Sequence, residues 1–477
     1  MIATLLYVLY TLVIAALIIN LLLSGVRPTK TLAWIMVLIF IPIVGIILYF
    51  SLGRNRRKNK FFKLRRTRQI EQYLRTVKKY YTEVDQHHEE PEVLENIDLV
   101  RLIIKNSSFL PSKGNQVQIL QDGEQTFRAI FEALEQAQNF IHIQYYIFEN
   151  GELADKFAEV CKKKVRENVE VRMIYDGVGS RHLSNSYIQD LARNGIEIHG
   201  FMPLHIWATT KWINYRNHRK IVVVDGKIGF VGGVNVADKY IKGDPVLGKW
   251  HDHHLCLVGP AVDNLHTVFA IDWNFVTGSG ALLAAPYFNN HSTAGDMTVQ
   301  IVFSGPDSDF AAVRQQYFKM INDAKKYIYL SNSYLIPGQS IIEALQTAAL
   351  SGCDVRIMLP DKSDSSIVRW SIRSYFEVLL EAGVRIYLFQ DGFLHNKTIV
   401  SDDEIVSVGT ANLDIRSFEQ NFEVNALIYD RSFAIKMREF FLEDCRKCVE
   451  VELDQYRMRP IDDRLKEGLA KIWSPIL

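Results

Sequence analysis

The first 53 residues are almost entirely apolar. One apolar run extends over 3–23 and a second over 32–52, separated by a short break at 24–30, and Arg27 and Lys30 are the only charges. Each run is about 20 residues, the length a helix needs to cross a ~30 Å hydrocarbon layer. The pattern predicts an α-helical membrane hairpin over 1–53. No basic segment precedes the first run and a second run follows at once, which argues against a cleaved signal peptide. Pro42 and Gly45 leave open a kinked hairpin that dips into one leaflet.

Beyond a connector at 54–114, with a helical pattern at 70–81 and an acidic break at 85–91, the periodicity changes. Helical patterns at 123–138, 153–167 and 185–193 alternate with apolar strand patterns at 140–148, 169–175 and 196–201. That alternation predicts a sheet covered by helices on both faces. The order then recurs. Ala137-Gln138-Asn139-Phe140-Ile141-His142-Ile143 aligns with Ala324-Lys325-Lys326-Tyr327-Ile328-Tyr329-Leu330. Val171 to Asp176 aligns with Val355 to Asp361 with one inserted residue, and Asn194-Gly195-Ile196 with Ala382-Gly383-Val384. Two copies of one α/β/α unit follow, as domains over 115–275 and 296–477 related by a pseudo-twofold, with a Gly-, Ala- and Asn-rich linker at 277–296 between them. The stretch 430–448 reads as an amphipathic helix of the second copy.

Each copy ends in the same polar signature. Asn217-His218-Arg219-Lys220 opens an apolar strand that closes on Asp225-Gly226, a hairpin-turn pair. Leu394-His395-Asn396-Lys397 opens the counterpart, which closes on Asp402. In both, Lys stands at +2 from the His, Asp at +7, Gly at +14 (Gly232, Gly409) and Asn at +17 (Asn235, Asn412). His and Lys two apart on a strand share a face. Thirteen histidines in the chain, with Lys and Asp each at roughly 6%, give about 0.05 chance matches to His-x-Lys-x4-Asp. One copy alone reads equally well as a strand with an exposed His and Lys; two copies in one register do not.

Charge narrows the setting. Nine basic residues and no acid lie within 54–68, so residues 1–68 carry +11 and the rest −10 of a total of +1. The basic collar beside the apolar runs places both the N-terminus and the large C-terminal part on the cytoplasmic side, with the collar at anionic headgroups. A body of charge −10 is no general nucleic-acid binder. Five scattered cysteines, at 161, 256, 353, 445 and 448, suggest no disulfide framework, and nothing in the pattern indicates an oligomeric state.

Two imidazoles brought together across a pseudo-twofold form a nucleophile and an acid–base partner for phosphorus chemistry. Lys220 and Lys397, with the amides of Asn235 and Asn412, can surround non-bridging phosphate oxygens, so neither metal nor cofactor is called for. Each His needs an acceptor on its other ring nitrogen. Asp252, in Trp250-His251-Asp252-His253, and Glu423, in Asn421-Phe422-Glu423-Val424, are the candidates downstream of the motifs. A metal site at His251, Asp252, His253 and His254 is the competing reading of that segment; no second ligand cluster accompanies it. Asp225 and Asp402 are expected to fix the strand ends and their lysines.

These residues resemble the phospholipase D superfamily, whose signature is the doubled His-x-Lys-x4-Asp motif, over about residues 115–477. Lys30-Thr31-Leu32-Ala33-Trp34-Ile35, Gly53-Arg54-Asn55, Asn412-Leu413-Asp414-Ile415-Arg416-Ser417-Phe418-Glu419 and the closing Ser474-Pro475-Ile476-Leu477 resemble the bacterial cardiolipin synthases within it. The resemblance implies catalytic His218, Lys220, Asp225, His395, Lys397 and Asp402. It also implies a multi-pass protein of the bacterial cell membrane and transfer of a phosphatidyl group between two phosphatidylglycerols through a phosphatidyl-histidine. By the superfamily's habit, His218 is the nucleophile and His395 the acid. Arg416 and Ser417 are candidate headgroup contacts or ordinary structural residues. Trp207, Trp212 and Tyr215 mark a segment that dips into the membrane interface or forms a buried aromatic patch. Gln144 departs from the family, where a Glu is expected, and should soften a local hydrogen bond. A membrane-bound phospholipid hydrolase needs the same residues and is the nearest rival; a nuclease and a catalytically inert scaffold fit less well, since the body is acidic and both motifs are intact.

Overall fold

A computed structural model describes residues 2–23, 28–41, 43–49, 91–203, 214–288 and 293–474. The basic collar, the 70–81 helix and all but two residues of the Leu204–Tyr215 segment, Trp207 and Trp212 included, lie outside the described residues. The chain divides into two compact units, residues 1–61 with 204–215 and residues 62–203 with 216–477, and each is taken by itself.

In the first unit, helix α1 is Ile2–Leu23. The second apolar run is not one helix. It is α2, Pro28–Phe40, of 13 residues, and α3, Val44–Leu48. At 1.5 Å per residue α2 is only about 20 Å long. Ile14, Leu17 and Leu21 of α1 bury against Leu38 and Tyr49, and the Tyr10 hydroxyl donates to the Leu38 carbonyl at 3.2 Å. Leu9, Leu12, Leu22, Met36 and Phe40 face outward. Among the described residues no helix is long and apolar enough to cross a membrane, the side chains at the start of α1 falling partly outside them. The spanning hairpin is therefore not shown.

The second unit is built on one continuous sheet. Its first half comprises β1 (Ser112–Asp122), β2 (Phe140–Tyr145), β3 (Glu170–Asp176), β4 (Glu197–Phe201), β5 (Ile221–Val224), β6 (Ile228–Gly232) and β7 (Trp250–Val258). Its second half comprises β8 (Met297–Ser304), β9 (Tyr327–Asn332), β11 (Asp354–Pro360), β12 (Arg385–Phe389), β13 (Phe393–Leu394), β14 (Lys397–Ser401), β15 (Ile405–Gly409), β17 (Glu423–Tyr429) and β18 (Cys448–Glu450), while β10 (Leu335–Ile336) and β16 (Leu413–Asp414) pair with each other apart from it. The spatial order is β4-β3-β2-β5-β6-β7-β1 in one half and β12-β11-β9-β14-β15-β17-β8 in the other. Counterpart strands thus take matching places. The halves join where β1 pairs with β8 in antiparallel, Asn115 opposite Met297, as a pseudo-twofold requires.

The central strands are buried on both faces and read as continuous β-branched runs, Ile221-Val222-Val223-Val224 being wholly buried. The helices fall close to the sequence expectation, at Gly123–Gln136, Glu152–Arg166, Asn185–Arg193 and Arg431–Cys445. Their amphipathic faces supply the flanking layers. The 140–148 strand ends earlier than expected, at Tyr145. The 277–296 linker includes two short 3-10 turns and buries Leu282 and Leu283.

Candidate active site

Both motif strands end in a tight hairpin. Asp225 and Gly226 take φ of 53° and 66°, the two positive values of a type I′ turn. In the second copy Asp402 and Asp403 take 56° and 60°. An Asp there costs about 1 kcal/mol more than Gly, and Asp403 is held by Arg438 and the Tyr327 hydroxyl. The motif aspartates do fix the strand ends, but not through their lysines. Asp225 accepts from the backbone N–H of Gln138, Asn139 and Phe140 at 2.7–2.9 Å. Asp402 accepts from those of Lys325, Lys326 and Tyr327 at 2.7–2.9 Å. Each carboxylate thus ties the hairpin to the start of the neighbouring strand, β2 or β9. Lys220 and Lys397 instead bond inside their own motifs, Nζ donating to the carbonyl of His218 and of His395, both at 2.6 Å.

The histidines are held from the opposite half. The His218 N–H donates to the Phe422 carbonyl at 3.0 Å, and the next residue, Glu423, meets His218 Nδ1 at 3.0 Å. Symmetrically, the His395 N–H donates to the His251 carbonyl at 2.7 Å, and the next residue, Asp252, meets His395 Nδ1 at 2.6 Å. So the carboxylate downstream of each motif serves the other motif's histidine. Both pairs are buried, leaving Nε2 of each ring for chemistry. The motif glycines make room for the adjacent strand of their own half: a Cβ on Gly232 would lie 2.6 Å from the His253 carbonyl oxygen, and one on Gly409 2.1 Å from Asn425 Oδ1.

Electrostatics separates the two pairs. Burial lowers His218 to about 4, against the pull of Glu423, so the ring is neutral at neutral pH. Burial opposes ionisation of Glu423, but His218, Lys220 and the Thr410 hydroxyl hold it below the ordinary carboxylate value. Burial also drives His395 well below its ordinary value, helped by Lys397, Lys220 and His218. Asp252 is pushed up to about 7 by burial, with both lysines opposing. Lys220 and Lys397 fall to about 7 and about 8 for the same reason, so each gains its full charge when an anion arrives.

The remaining candidates divide. Asn235 is occupied, accepting from the Ile147 N–H and donating to the Tyr240 hydroxyl at 2.8 Å. Asn412 is buried with Oδ1 unpaired. Ser417 is structural, its Oγ accepting from the Asn412 N–H and its own N–H capping onto Asp414. Arg416 is half-buried, its charge reaches Tyr146, and it has no ion pair among the described residues. Gln144 Nε2 donates to Asn217 Oδ1 at 2.9 Å and to Asp272 Oδ2 at 2.6 Å, while its Oε1 is buried without a partner. The metal reading of 251–254 fails on geometry. His251 meets the Asp391 carbonyl, His253 meets Thr398 and Asp252 meets His395. No group of three or more ligands able to hold a metal ion exists among the described residues.

Sequence reasoning missed four contributors. Glu423 accepts from the Thr410 hydroxyl at 2.5 Å and from Asn421 Nδ2 at 3.2 Å. The Tyr146 ring stands edge-on to His218, 4.8 Å between centroids, under Lys220 Nζ. Its counterpart Ser333 accepts from Lys397 Nζ at 3.0 Å. The strand alignment of the two copies brings Tyr146 and Ser333 into register and was the available signal for that pair.

Comparison with known proteins bears on the family and the fold. The family described as "Cardiolipin synthase, PLD-like domain" matches residues 130–248 and 317–445, and a phospholipase D-nuclease N-terminal family matches residues 11–54. The cardiolipin synthase of Oceanobacillus iheyensis is 41% identical over 456 residues, covering 94% of both chains. The major cardiolipin synthase of Bacillus subtilis is 39% identical over 448 residues, covering 93% of both. Among solved structures, the phosphatidylserine synthase of Haemophilus influenzae superposes with a TM-score of 0.61 at 15% identity, over 77% of this chain and 97% of that one. At that identity the likeness speaks to the fold alone.

Proposed function

This chain belongs to the bacterial cardiolipin synthases, phosphatidyltransferases of the phospholipase D-like fold, and from that premise we propose how its two half-sites divide the reaction. Neutral His218 attacks the phosphorus of one phosphatidylglycerol through Nε2. An N–P bond forms, the P–O bond to glycerol breaks, and the departing alkoxide takes a proton from His395. A terminal hydroxyl of a second phosphatidylglycerol then gives its proton to His395 and attacks the phosphatidyl-histidine. The new P–O bond completes cardiolipin and frees His218. Lys220, Lys397 and Arg416 stabilise the charge on the phosphoryl oxygens, with Asn412 beside them.

The crossed His–carboxylate pairs carry this reading. Glu423 stays ionised and keeps a Nδ1–H on His218, which leaves Nε2 as a free lone pair. Asp252, raised to about 7, keeps an additional proton on the His395 pair near neutrality, and that proton is what a leaving alkoxide needs. We take residues 115–275 and 296–477 as the two catalytic domains. The N-terminal helices hold the enzyme at the cytoplasmic face of the cell membrane; the uncharged α1, its outward apolar residues and the basic collar at 54–68 support this.

The test is purified enzyme in phosphatidylglycerol vesicles with a chelator present, followed by lipid analysis. Cardiolipin and glycerol in equal amounts, both lost in His218→Ala, are expected. Phosphatidic acid as the main product would make water the acceptor and the enzyme a hydrolase.

A further inference from the structure

The last helix, Ile461–Trp473, is turned inside out. Its inward side carries Glu467, 2% exposed, and Ala470. Glu467 accepts from the Tyr456 hydroxyl at 2.7 Å and from Arg459 Nε at 2.9 Å. Its outward side carries Ile461, Leu465, Leu469, Ile472 and Trp473, which are 75, 62, 64, 71 and 54% exposed. At 3.6 residues per turn these five fall within an arc of about 120°, opposite Glu467. A surface helix of a globular protein shows the reverse arrangement. Even a side chain added at Gly468 would meet nothing within 4 Å. The helix is firmly seated, since Ser474 at its end bonds Ser371 at 2.9 Å and Tyr375 at 3.0 Å. The apolar face is therefore a built feature of the surface and not a frayed end.

We propose that this face is a membrane-docking surface that lies in an anionic lipid interface and presents the second half-site to its substrate. The inference rests on the lipid-transferase reading above. Two observations select lipid as the occupant. Arg464 and Lys471 flank the apolar arc on one side and Lys466 on the other, with Lys466 pairing to Asp462, which lies within the arc, and to Asp463; cations beside an apolar arc are the arrangement of an interfacial helix on anionic headgroups. The helix also packs on Ser366–Arg373, through the Lys466 ammonium on the Trp370 ring and Arg373 against Glu467 at 3.5 Å. That helix starts beside Asp364, which accepts from the Tyr334 hydroxyl at 2.7 Å, and the preceding residue, Ser333, holds Lys397. A lipid surface meeting the apolar arc thus lies at the rim of the catalytic centre.

The test compares full-length enzyme with the Leu465→Asp/Leu469→Asp variant on two substrates, phosphatidylglycerol vesicles and dihexanoyl-phosphatidylglycerol below its aggregation concentration. Vesicle turnover is expected to fall about ten-fold or more, while turnover of the monomeric lipid changes by less than about two-fold. Equal losses on both substrates, or no loss on vesicles, would overturn the proposal. So would a dimer-to-monomer change without a substrate split, which would assign the face to a second copy of the chain. A second reading uses Trp473, whose fluorescence contribution is obtained by difference from Trp473→Phe. Quenching by brominated phosphatidylglycerol and shielding from aqueous iodide are expected; the opposite pattern would contradict docking. If the unmodified enzyme forms no cardiolipin, the functional reading fails, and the Trp473 measurement still decides the docking surface.

Discussion

The two halves of the catalytic centre share a motif, a turn and a strand order, yet they hold their histidines differently. Glu423 receives His218, Thr410 and Asn421. Asp252 takes His395 on Oδ2 while Oδ1 has no hydrogen-bond partner. The contrast continues beneath the motifs. After His218 comes Arg219, whose Nη1 meets both oxygens of Asp272 at 2.7 Å, with Nη2 and Nε reaching the carbonyls of Ser304 and Glu423 in the other half. After His395 comes Asn396, which donates only to Ser331 Oγ and leaves Oδ1 unpaired. The two copies thus differ in their carboxylates: Glu423 is held ionised, while Asp252 is pushed up to about 7. In the proposed displacement His218 attacks as a neutral ring while the His395–Asp252 pair gives and takes back a proton, roles that this difference suits.

The largest expected effects come from the two carboxylates. Glu423→Gln and Asp252→Asn should each lower kcat by roughly 10²–10⁴-fold in the vesicle assay, but with different pH profiles. In the unmodified enzyme, activity should fall as pH drops through about 4, where His218 gains a proton and loses its lone pair. It should also fall as pH rises through about 7 to 8, where the Asp252 pair and then Lys220 and Lys397 lose theirs. Asp252→Asn should leave only the lysine limb at high pH, moved to lower pH because the Asp252 charge raises both Lys220 and Lys397. Identical profiles for the two variants would break the comparison.

Smaller effects should appear in stability. Arg219→Met leaves Asp272 buried without its cation and should destabilise by about 3–5 kcal/mol. Asn396→Leu removes one neutral hydrogen bond at the corresponding position and should cost about 1 kcal/mol. Thermal unfolding of the two variants side by side checks this, and equal losses would show that the first half carries no special ionic anchor.

Much of this was legible in the chain. The period-two motif strands, the Asp-Gly turn, the doubled His, Lys, Asp, Gly and Asn, and the strand alignment of the copies together imply two copies of one α/β unit. Asp252 and Glu423 were identifiable because a buried imidazole needs an acceptor. Their crossing was not, since it depends on Phe422 and His251 pairing with the opposite half, a tertiary contact without a local pattern. Thr410 and Asn421 escaped for the same reason. The backbone role of Asp225 and Asp402 was half visible, in a turn that demands positive φ. The 461–473 helix was not singled out, because an apolar period does not say whether the face it marks turns inward or outward. The second apolar run is long enough for one spanning helix but breaks between Phe40 and Val44, where Pro42 and Gly45 had left a kink open.

The most direct measurement of the divided site is to capture the covalent intermediate. The enzyme is mixed with phosphatidylglycerol vesicles and quenched within one turnover in alkali, where an N–P bond survives and the acyl esters are cleaved. The peptides are then sequenced by mass spectrometry. A glycerophosphoryl group on His218, and none on His395, is the expected result. The group on His395, or cardiolipin formed in a first turnover with neither histidine modified, would contradict the assignment.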